Sequence, residues 1–324
     1  MARIKKRGMW TSHRFSCKKM RILITGGCGY LGGYLVRHIA KLYHGVVSEI
    51  VIYDNLSRGD LAFLFGEQIE GVKLRLVRND ILSRRDLLKA LDGIDTVVHL
   101  AAKVTQPYTD IKLHPFDQIN NWGSANLADA IQDSDVKKVI YISSVTVYGT
   151  QPNLITEELI PEPQTYYGVS KLKGEKHFQR IQSKEVFILR SANVFGYSPT
   201  MRIDSVFNRF MFEAHHGGRV NRIGDGSQSR AFISLDSFSE QVCHVLFEDV
   251  KPGVYNLADT NLSINDILEY YFEMFPDLEV ITIEQNAKLH SVNIEVPTKL
   301  GQLMNHKPKD IRQELEVFKK AFSF

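Results

Sequence analysis

The sequence predicts an α/β protein: a doubly wound parallel sheet with helices on both faces, followed by a smaller mixed α/β lobe. Three observations lead there. A buried strand runs into a glycine-rich turn that opens a helix, in MRILITGGCGYLGGY from Met20 to Tyr34. Short apolar strands then alternate with helical patterns as far as residue 192, and such alternation builds a parallel sheet through right-handed crossovers. After Phe195 the alternation loosens into a region rich in turns. A chain of 324 residues is long enough to bury the sheet and a second core.

Arg21 to Thr25 is the first strand. The glycines after it stand at Gly26, Gly29 and Gly32, with Gly27 and Gly33 beside them. Where no Cβ intervenes a phosphate can reach the backbone, and the N-terminus of the following helix offers free N–H groups and partial positive charge. Taken alone, the pattern equally suits a tight strand-to-helix turn that binds nothing. From Tyr30 to Tyr43, Leu31, Leu35, Ile39 and Leu42 recur at helical spacing. Glu49 to Tyr53 is the second strand, and Asp54 stands at its end, one βαβ unit past Gly26. A carboxylate there accepts hydrogen bonds from both ribose hydroxyls of an adenosine and repels a 2′-phosphate, which gives the glycines their context and favours NAD over NADP. Arg58 in the next loop keeps the phosphorylated cofactor open, and Asp54 would also suit a turn before Asn55.

Val72 to Val77 is the third strand, followed by Asn79, Asp80 and Ile81. Asp80 is placed either to meet the adenine amino group or to cap the helix that starts near Ser83. Asp95 to Leu100 is the fourth strand and ends in Ala101 and Ala102, small residues that a cofactor can pass closely; His99, in its apolar run, reads as a core histidine. Phe116 to Gln132 is a long helix and Lys137 to Ile142 the fifth strand. Ser143 and Ser144 then put hydroxyls beyond the carboxyl end of the sheet, where open α/β folds bind ligands. Gln151 to Gln164 is a polar loop of active-site length. Thr165 to Lys171, TYYGVSK, enters a helix that runs to about Gln182.

Tyr167 and Lys171 lie at i and i+4, on one helix face. A free tyrosine, with a pKa of about 10, is a poor base at neutral pH. A nearby ammonium and a positive nicotinamide ring favour its phenolate. It can then take a proton from an alcohol while hydride leaves the same carbon. Ser144 would hydrogen-bond the reacting oxygen. By itself the pair is an ordinary surface tyrosine and lysine; behind a nucleotide-binding turn and a serine-bearing strand end it reads as catalytic. Further on, Met201 to Ala214 is a helix, Gly217–Gly218 and Gly224–Gly226 are turns, Val254 to Leu257 is a late strand, and Ser263 caps a helix to about Phe275.

With 44% hydrophobic and 24% charged residues the chain is of ordinary globular composition, and no apolar run approaches the roughly 18 residues that would cross a membrane. Cys17, Cys28 and Cys243 are too scattered for a disulfide framework or a metal knuckle, which points to reduced thiols and a cytoplasmic setting. The net charge is +3, but residues 1–19 hold seven basic residues and no acid, which leaves the remainder at −4. That tail lacks the apolar core of a secretory signal. It reads as a disordered arm or a start-site artefact ahead of Met20; binding of nucleic acid or an anionic membrane is the other reading.

The segments TGGCGYLGGYL, YDNLSRG, HLAA, NNWGSANL, YISSVTVYG, YYGVSK, LRSANVFG and GDGSQSRAFISLD, in this order from Met20 to about Pro252, resemble the extended short-chain dehydrogenase/reductase family and, within it, nucleotide-sugar enzymes of the UDP-glucose 4-epimerase type. The resemblance implies a Rossmann domain made of residues 20–192 and 233–258, with 193–232 and 259–324 forming the substrate-binding domain. It implies NAD, its pyrophosphate on Gly26, Gly29, Tyr30, Leu31 and Gly32, its adenosine ribose on Asp54 and Asn55, and its adenine flanked by Asp80 and Ile81. Ala101, Ala102 and Lys103 would line the cofactor, Asn120 would support the active-site backbone, and Lys171 would bond the nicotinamide ribose. Ser144, Tyr167 and Lys171 would be the catalytic set. Lys103, Ser144 and Thr146 would meet the sugar and Asn193 and Arg230 the substrate diphosphate, with Asp236 matching the acid that follows. Members pair helices 116–132 and 166–182 across a two-fold axis into a four-helix bundle, which implies a homodimer; no membrane partner is expected from the apolar runs, and a nucleic-acid partner is the disfavoured reading of the basic tail.

Sugar 4,6-dehydratases of this family carry Thr-Asp-Glu where Ser144, Val145 and Thr146 stand, because eliminating water needs an acid and a base. Their absence leaves chemistry at C4: epimerisation through a 4-keto sugar, or reduction of a 4-keto sugar by NAD(P)H. The family's C-terminal Arg-Pro-Gly-Asp-like segment corresponds to Leu289–Asn293, which has no arginine; Lys288 and His290 are the nearby cations. His215 and His216 lack the company of a metal site, and none is required. A non-catalytic dinucleotide- or RNA-binding protein is the reading of another class, and the intact Ser144, Tyr167 and Lys171 count against it.

Overall fold

The computed structural model describes residues 19–58, 62–65, 70–104, 113–284 and 291–322. The basic tail up to Lys18, Cys17 within it, and the candidate cations Lys288 and His290 lie outside the described residues. In chain order the elements are β1 (Met20–Thr25), α1 (Tyr30–Leu42), β2 (Val47–Asp54), β3 (Lys73–Arg78), α2 (Arg84–Ala90), β4 (Thr96–His99), α3 (Leu113–Phe116), a π-helical segment (Asp117–Gly123), α4 (Ser124–Gln132) and β5 (Lys138–Ser144). A 3₁₀ turn (Val145–Tyr148), α5 (Tyr166–Gln179), β6 (Glu185–Ser191), β7 (Asn193–Phe195), α6 (Val206–Gly217), β8 (Arg219–Ile223), β9 (Ser229–Ser234), α7 (Leu235–Phe247) and β10 (Gly253–Leu257) follow. The chain closes with β11 (Thr260–Ser263), α8 (Ile264–Met274), β12 (Glu279–Ile283), α9 (Lys299–Met304) and α10 (Ile311–Ala321).

Seven strands form one sheet in the order β10-β6-β5-β4-β1-β2-β3, and every pairing in it is parallel. Strand alternation divides its core in two. Ile22 and Ile24 of β1 face Leu35, Val36 and Ile39 of α1 and Phe238 and Val242 of α7. Leu23, between them, faces the layer of Leu87, Leu127, Ile131 and Phe178 on α2, α4 and α5. Both faces are covered over the inner strands, which is why these read as apolar runs, while the edge strand β3 (KLRLVR) stays partly exposed. Tyr53, Thr25, His99 and Tyr141 stand in register across β2, β1, β4 and β5. Asp54, Gly26, Leu100 and Ser143–Ser144 follow just beyond that row, at the carboxyl edge.

β11, β9 and β7 form a three-stranded sheet, and β12 pairs β8. A third core joins them to α6, α8 and α10 through Phe207, Phe210, Phe232, Tyr271 and Phe318. Two helices differ from the sequence reading. The segment from Phe116 widens into a π-helix over Asp117–Gly123, where Asn120 is drawn onto the loop after β4. α6 starts at Val206 and not at Met201. Arg202 instead forks onto Asp204, and Asn208 donates to the Arg202 carbonyl, which folds those residues into a loop.

Candidate active site at the carboxyl edge of the sheet

Gly26 has φ +70°, a region L side chains rarely adopt, and a Cβ there would lie 2.7 Å from the Ala101 nitrogen. A Cβ on Gly32 would lie 2.2 Å from the Gly26 carbonyl oxygen. The turn is thus pressed between the loop after β4 and its own helix, and only glycine fits. The Gly29 N–H closes the turn onto the Gly26 carbonyl at 3.1 Å; α1 begins with no side-chain cap and no acid in its first turn, so partial positive charge and the N–H groups of Tyr30, Leu31 and Gly32 stand at its start. Tyr30 turns its ring away: its hydroxyl donates to the Gly196 carbonyl and accepts from Asn208, tying the turn to the second lobe.

Asp54 accepts from the Cys28 N–H at 3.0 Å and the Leu56 N–H at 2.8 Å, one on each carboxylate oxygen. Each oxygen keeps a lone pair, and the residue is only partly buried, which is what a ribose diol needs. Burial, and then the Asp54 charge, push the Cys28 thiol up to about 12. Asp80 does not cap α2. It accepts from Leu82 N–H and from Asn55 Nδ2, while Ser83 takes the cap position. Asn55, Asp80 and the buried Ile81 therefore make one fixed wall beside Asp54. This cradle fits a dinucleotide: glycine backbone for a pyrophosphate, a carboxylate for a ribose, a wall for an adenine.

Past β4, Thr25 Oγ1 accepts from the N–H groups of Leu100 and Ala101, and its hydroxyl shares a hydrogen bond with His99 Nδ1. His99 is fully buried, meets Ser124 on its other nitrogen, and is held neutral by burial and by the Lys171 charge. It is a core histidine that props this loop. Asn120, also fully buried, clamps Lys103 from both sides, accepting its N–H at 2.8 Å and donating to its carbonyl at 2.9 Å, and donates further to Ser170. Ala101, Ala102 and Lys103 are thereby laid along the sheet edge.

Gly168 brings α5 onto the 3₁₀ turn so closely that a Cβ would sit 2.6 Å from the Thr146 carbonyl oxygen. Tyr167 thus comes to face Ser144, which favours the phenolate through its side chain. Ser144 Oγ accepts from the Thr146 N–H at 3.3 Å and from Thr146 Oγ1 at 3.0 Å. With both lone pairs taken, its own hydrogen is left to donate outward. Lys171 lies one turn along, almost fully buried, its Nζ 4.2 Å from the centre of the Tyr141 ring. Burial lowers its pKa to about 7, against the pull of Glu175. Burial raises Tyr167, and the charge that opposes this is that of Arg202. Alongside the Lys171 ammonium expected from the sequence, the Arg202 guanidinium is thus a second cation whose charge favours the phenolate.

Arg202 was not legible as a site residue. A second group that escapes sequence reading is the buried pair of Glu175 and Arg190. Arg190 donates to Glu175 through Nε and Nη2, Ser143 donates to the same carboxylate at 2.5 Å, and Arg190 Nη1 reaches the Tyr148 hydroxyl, which donates to Asn256. The signal was an arginine inside the apolar strand VFILRS, which demands a buried partner.

Asn193 is exposed and its Nδ2 donates to the Ala231 carbonyl, beside Arg230 on β9. Asp236 accepts from Tyr34 and Lys309 and so fastens α1 to the C-terminal segment, away from the site. His215 and His216 pack against Phe322, and no group of three potential metal ligands occurs among the described residues.

Cradle, clamp and Ser–Tyr–Lys set define a dinucleotide-dependent enzyme. Residues 22–258 match the model of the NAD dependent epimerase/dehydratase family, and the chain belongs to that family. It is 31% identical over 226 residues to the UDP-glucose 4-epimerase of Mycolicibacterium smegmatis, covering 67% of this chain and 70% of that one. It is 27% identical over 256 residues to the human dTDP-D-glucose 4,6-dehydratase, covering 76% and 70%. Among solved structures, the UDP-glucuronic acid 4-epimerase of Bacillus cereus in complex with UDP-glucuronic acid and NAD superposes with a TM-score of 0.80 at 25% identity, over 93% of this chain and 98% of that one.

Proposed function

We propose that this chain is an NAD-dependent nucleotide-sugar 4-epimerase. The observation that supports the reading is the close packing of α5 at Gly168 onto the 3₁₀ turn after Ser144, which brings Tyr167 to Ser144, with Val145 and Thr146 in place of the acid pair that elimination needs. Gly26, Gly29, Tyr30, Leu31 and Gly32 would hold the NAD pyrophosphate, Asp54 and Asn55 the adenosine ribose, Asp80 and Ile81 the adenine, and Ala101, Ala102, Lys103 and Lys171 the nicotinamide half. NAD bound there would supply a reversible hydride acceptor for C4 of the sugar. Ser144 donates a hydrogen bond to the C4 oxygen and holds it, with Thr146 behind. Tyr167 takes the C4 hydroxyl proton as the 4-keto sugar forms and returns it when the ketone is reduced on its other face. Lys103 would meet the sugar, and Asn193 and Arg230 would hold the diphosphate.

The test is turnover of a UDP-hexose. Equilibration with its C4 epimer without added reductant is the expected result. Stoichiometric consumption of NADH or NADPH would instead make the protein a 4-keto-sugar reductase. A homodimer belongs to the same proposal: Trp122, Leu113 and Tyr166 are exposed on the π-helical segment, α3 and α5, the helices that would pair. Sedimentation at twice the chain mass is expected. Among the described residues no helix is long and apolar enough to cross a membrane.

A further inference from the structure

We infer that Arg209 on α6 is the second arginine of the substrate's diphosphate site, in the place of the one absent from the C-terminal segment. The inference rests on the nucleotide-sugar reading above and goes beyond it, since neither the sequence pattern nor the family motifs single out Arg209.

Arg230 carries the first observation. It lies partly buried on β9, and among the described residues its guanidinium has neither a carboxylate nor a hydrogen-bond partner. The charge next to it is of the same sign. Burial lowers its pKa, and so does Arg209. A protein interior seldom leaves one cation unpaired and sets a second against it, because an unpaired buried charge is costly. The arrangement becomes favourable when an anion bridges the two.

Arg209 carries the second. Its Nε is buried with no hydrogen-bond partner. Its Nη2 donates to the Asn221 carbonyl at 3.1 Å, which anchors the guanidinium, and Glu213 forms a long ion pair with it, 3.9 Å from Nε, which leaves Nε without a hydrogen bond. Glu213 is itself engaged by the Asn221 N–H. One turn back on the same helix face, the Ser205 hydroxyl is also buried and unpartnered. Two guanidinium forks from α6 and β9, with a spare hydroxyl beside one of them, match an anion with two acceptor groups in tandem. A nucleoside diphosphate supplies that; a nucleoside monophosphate supplies half of it.

The helix origin of Arg209 also relieves the C-terminal segment of a role. Ser291 accepts from the Ser229 N–H, and Val292 bridges to Arg230 in strand fashion. That stretch therefore lies along β9 as a backbone support, with α6 supplying the cation.

The experiment is calorimetric titration of the full chain with UDP and with UMP. For Arg209→Met, UDP binding is expected to weaken roughly ten- to hundred-fold, with UMP changing less than about three-fold, as befits loss of a charge-assisted contact to the second phosphate. Arg209→Lys, which keeps charge and stem, should fall between and stands in if Arg209→Met does not fold. A purely structural role would move both ligands together. Wild-type protein that binds UDP while the Arg209 variants bind it equally well, or lose UMP in proportion, overturns this inference alone. Wild-type protein that binds no nucleoside diphosphate among UDP, dTDP and GDP overturns the nucleotide-sugar reading and this inference with it.

Discussion

Glu175 holds Arg190 through both of its carboxylate oxygens, at 3.0 and 2.7 Å, one helical turn from Lys171. Both side chains are buried, at 0% and 5% exposure, so neither can fall back on water. The pair also receives Ser143, the neighbour of Ser144, and so joins the helix that carries Lys171 to the strand that ends in Ser144. Arg190→Leu should lower stability by about 3–5 kcal/mol, because it strands a buried carboxylate. Glu175→Leu combined with Arg190→Leu should recover much of that loss. Urea unfolding of both variants checks this; an Arg190→Leu variant as stable as the wild type contradicts it.

Lys171 makes stability depend on pH. Its folded pKa is about 7, against an ordinary value of 10.5. Above about pH 7 the native state sheds this proton while the unfolded chain keeps it until near 10.5. The unfolded state then binds more protons, so the contribution of this group to stability rises with pH across that window and is flat below it. Unfolding curves at pH 6, 7, 8 and 9 for the protein without added cofactor should show the rise, and Lys171→Met should flatten it. An equal slope in the variant would mean that the lysine is not held neutral.

Asp54 should decide the cofactor. Two backbone N–H groups fix its carboxylate, one from the glycine turn and one from Leu56, whose φ is +57°. Asp54→Ala frees both and removes the ribose acceptor, so NAD binding should weaken roughly ten-fold or more. Asp54→Asn should hold the turn better yet narrow the gap between NAD and NADP, since the charge that repels a 2′-phosphate is gone. Titration with both dinucleotides reads this out. Unchanged discrimination in Asp54→Asn would shift the choice to another residue.

The sheet was legible because its inner strands are short apolar runs buried on both faces and bounded by turns, and the first two are followed or ended by Gly26 and Asp54, one βαβ unit apart. That Tyr167 and Lys171 lie one turn apart on α5 was legible because helical spacing alone places them so. What was not legible depends on contacts distant in sequence. The π-helical widening follows from Asn120 meeting Lys103, and the late start of α6 from Arg202 turning onto Asp204. No spacing rule brings Arg202 to Tyr167 or Arg209 to Arg230, since in each case a loop or helix of the second lobe closes onto an element fixed elsewhere.

Tyr167 is the proposed base, and its environment gives the sign of the expected pH effects. Tyr167→Phe removes the proton acceptor and should cut turnover by roughly 10²- to 10⁴-fold, with the melting temperature near that of the wild type. In the wild type, burial raises the tyrosine, while Arg202 first and Ser144 second favour its phenolate. Since the base works deprotonated, activity should appear as pH rises through its pKa. Arg202→Met should therefore move that rising limb to higher pH, and Ser144→Ala should move it the same way by less while also lowering the plateau, because the serine touches the reacting oxygen. Arg202→Lys, which restores the charge, should bring the limb most of the way back. A limb that stays in place in Arg202→Met would assign it to a group other than Tyr167.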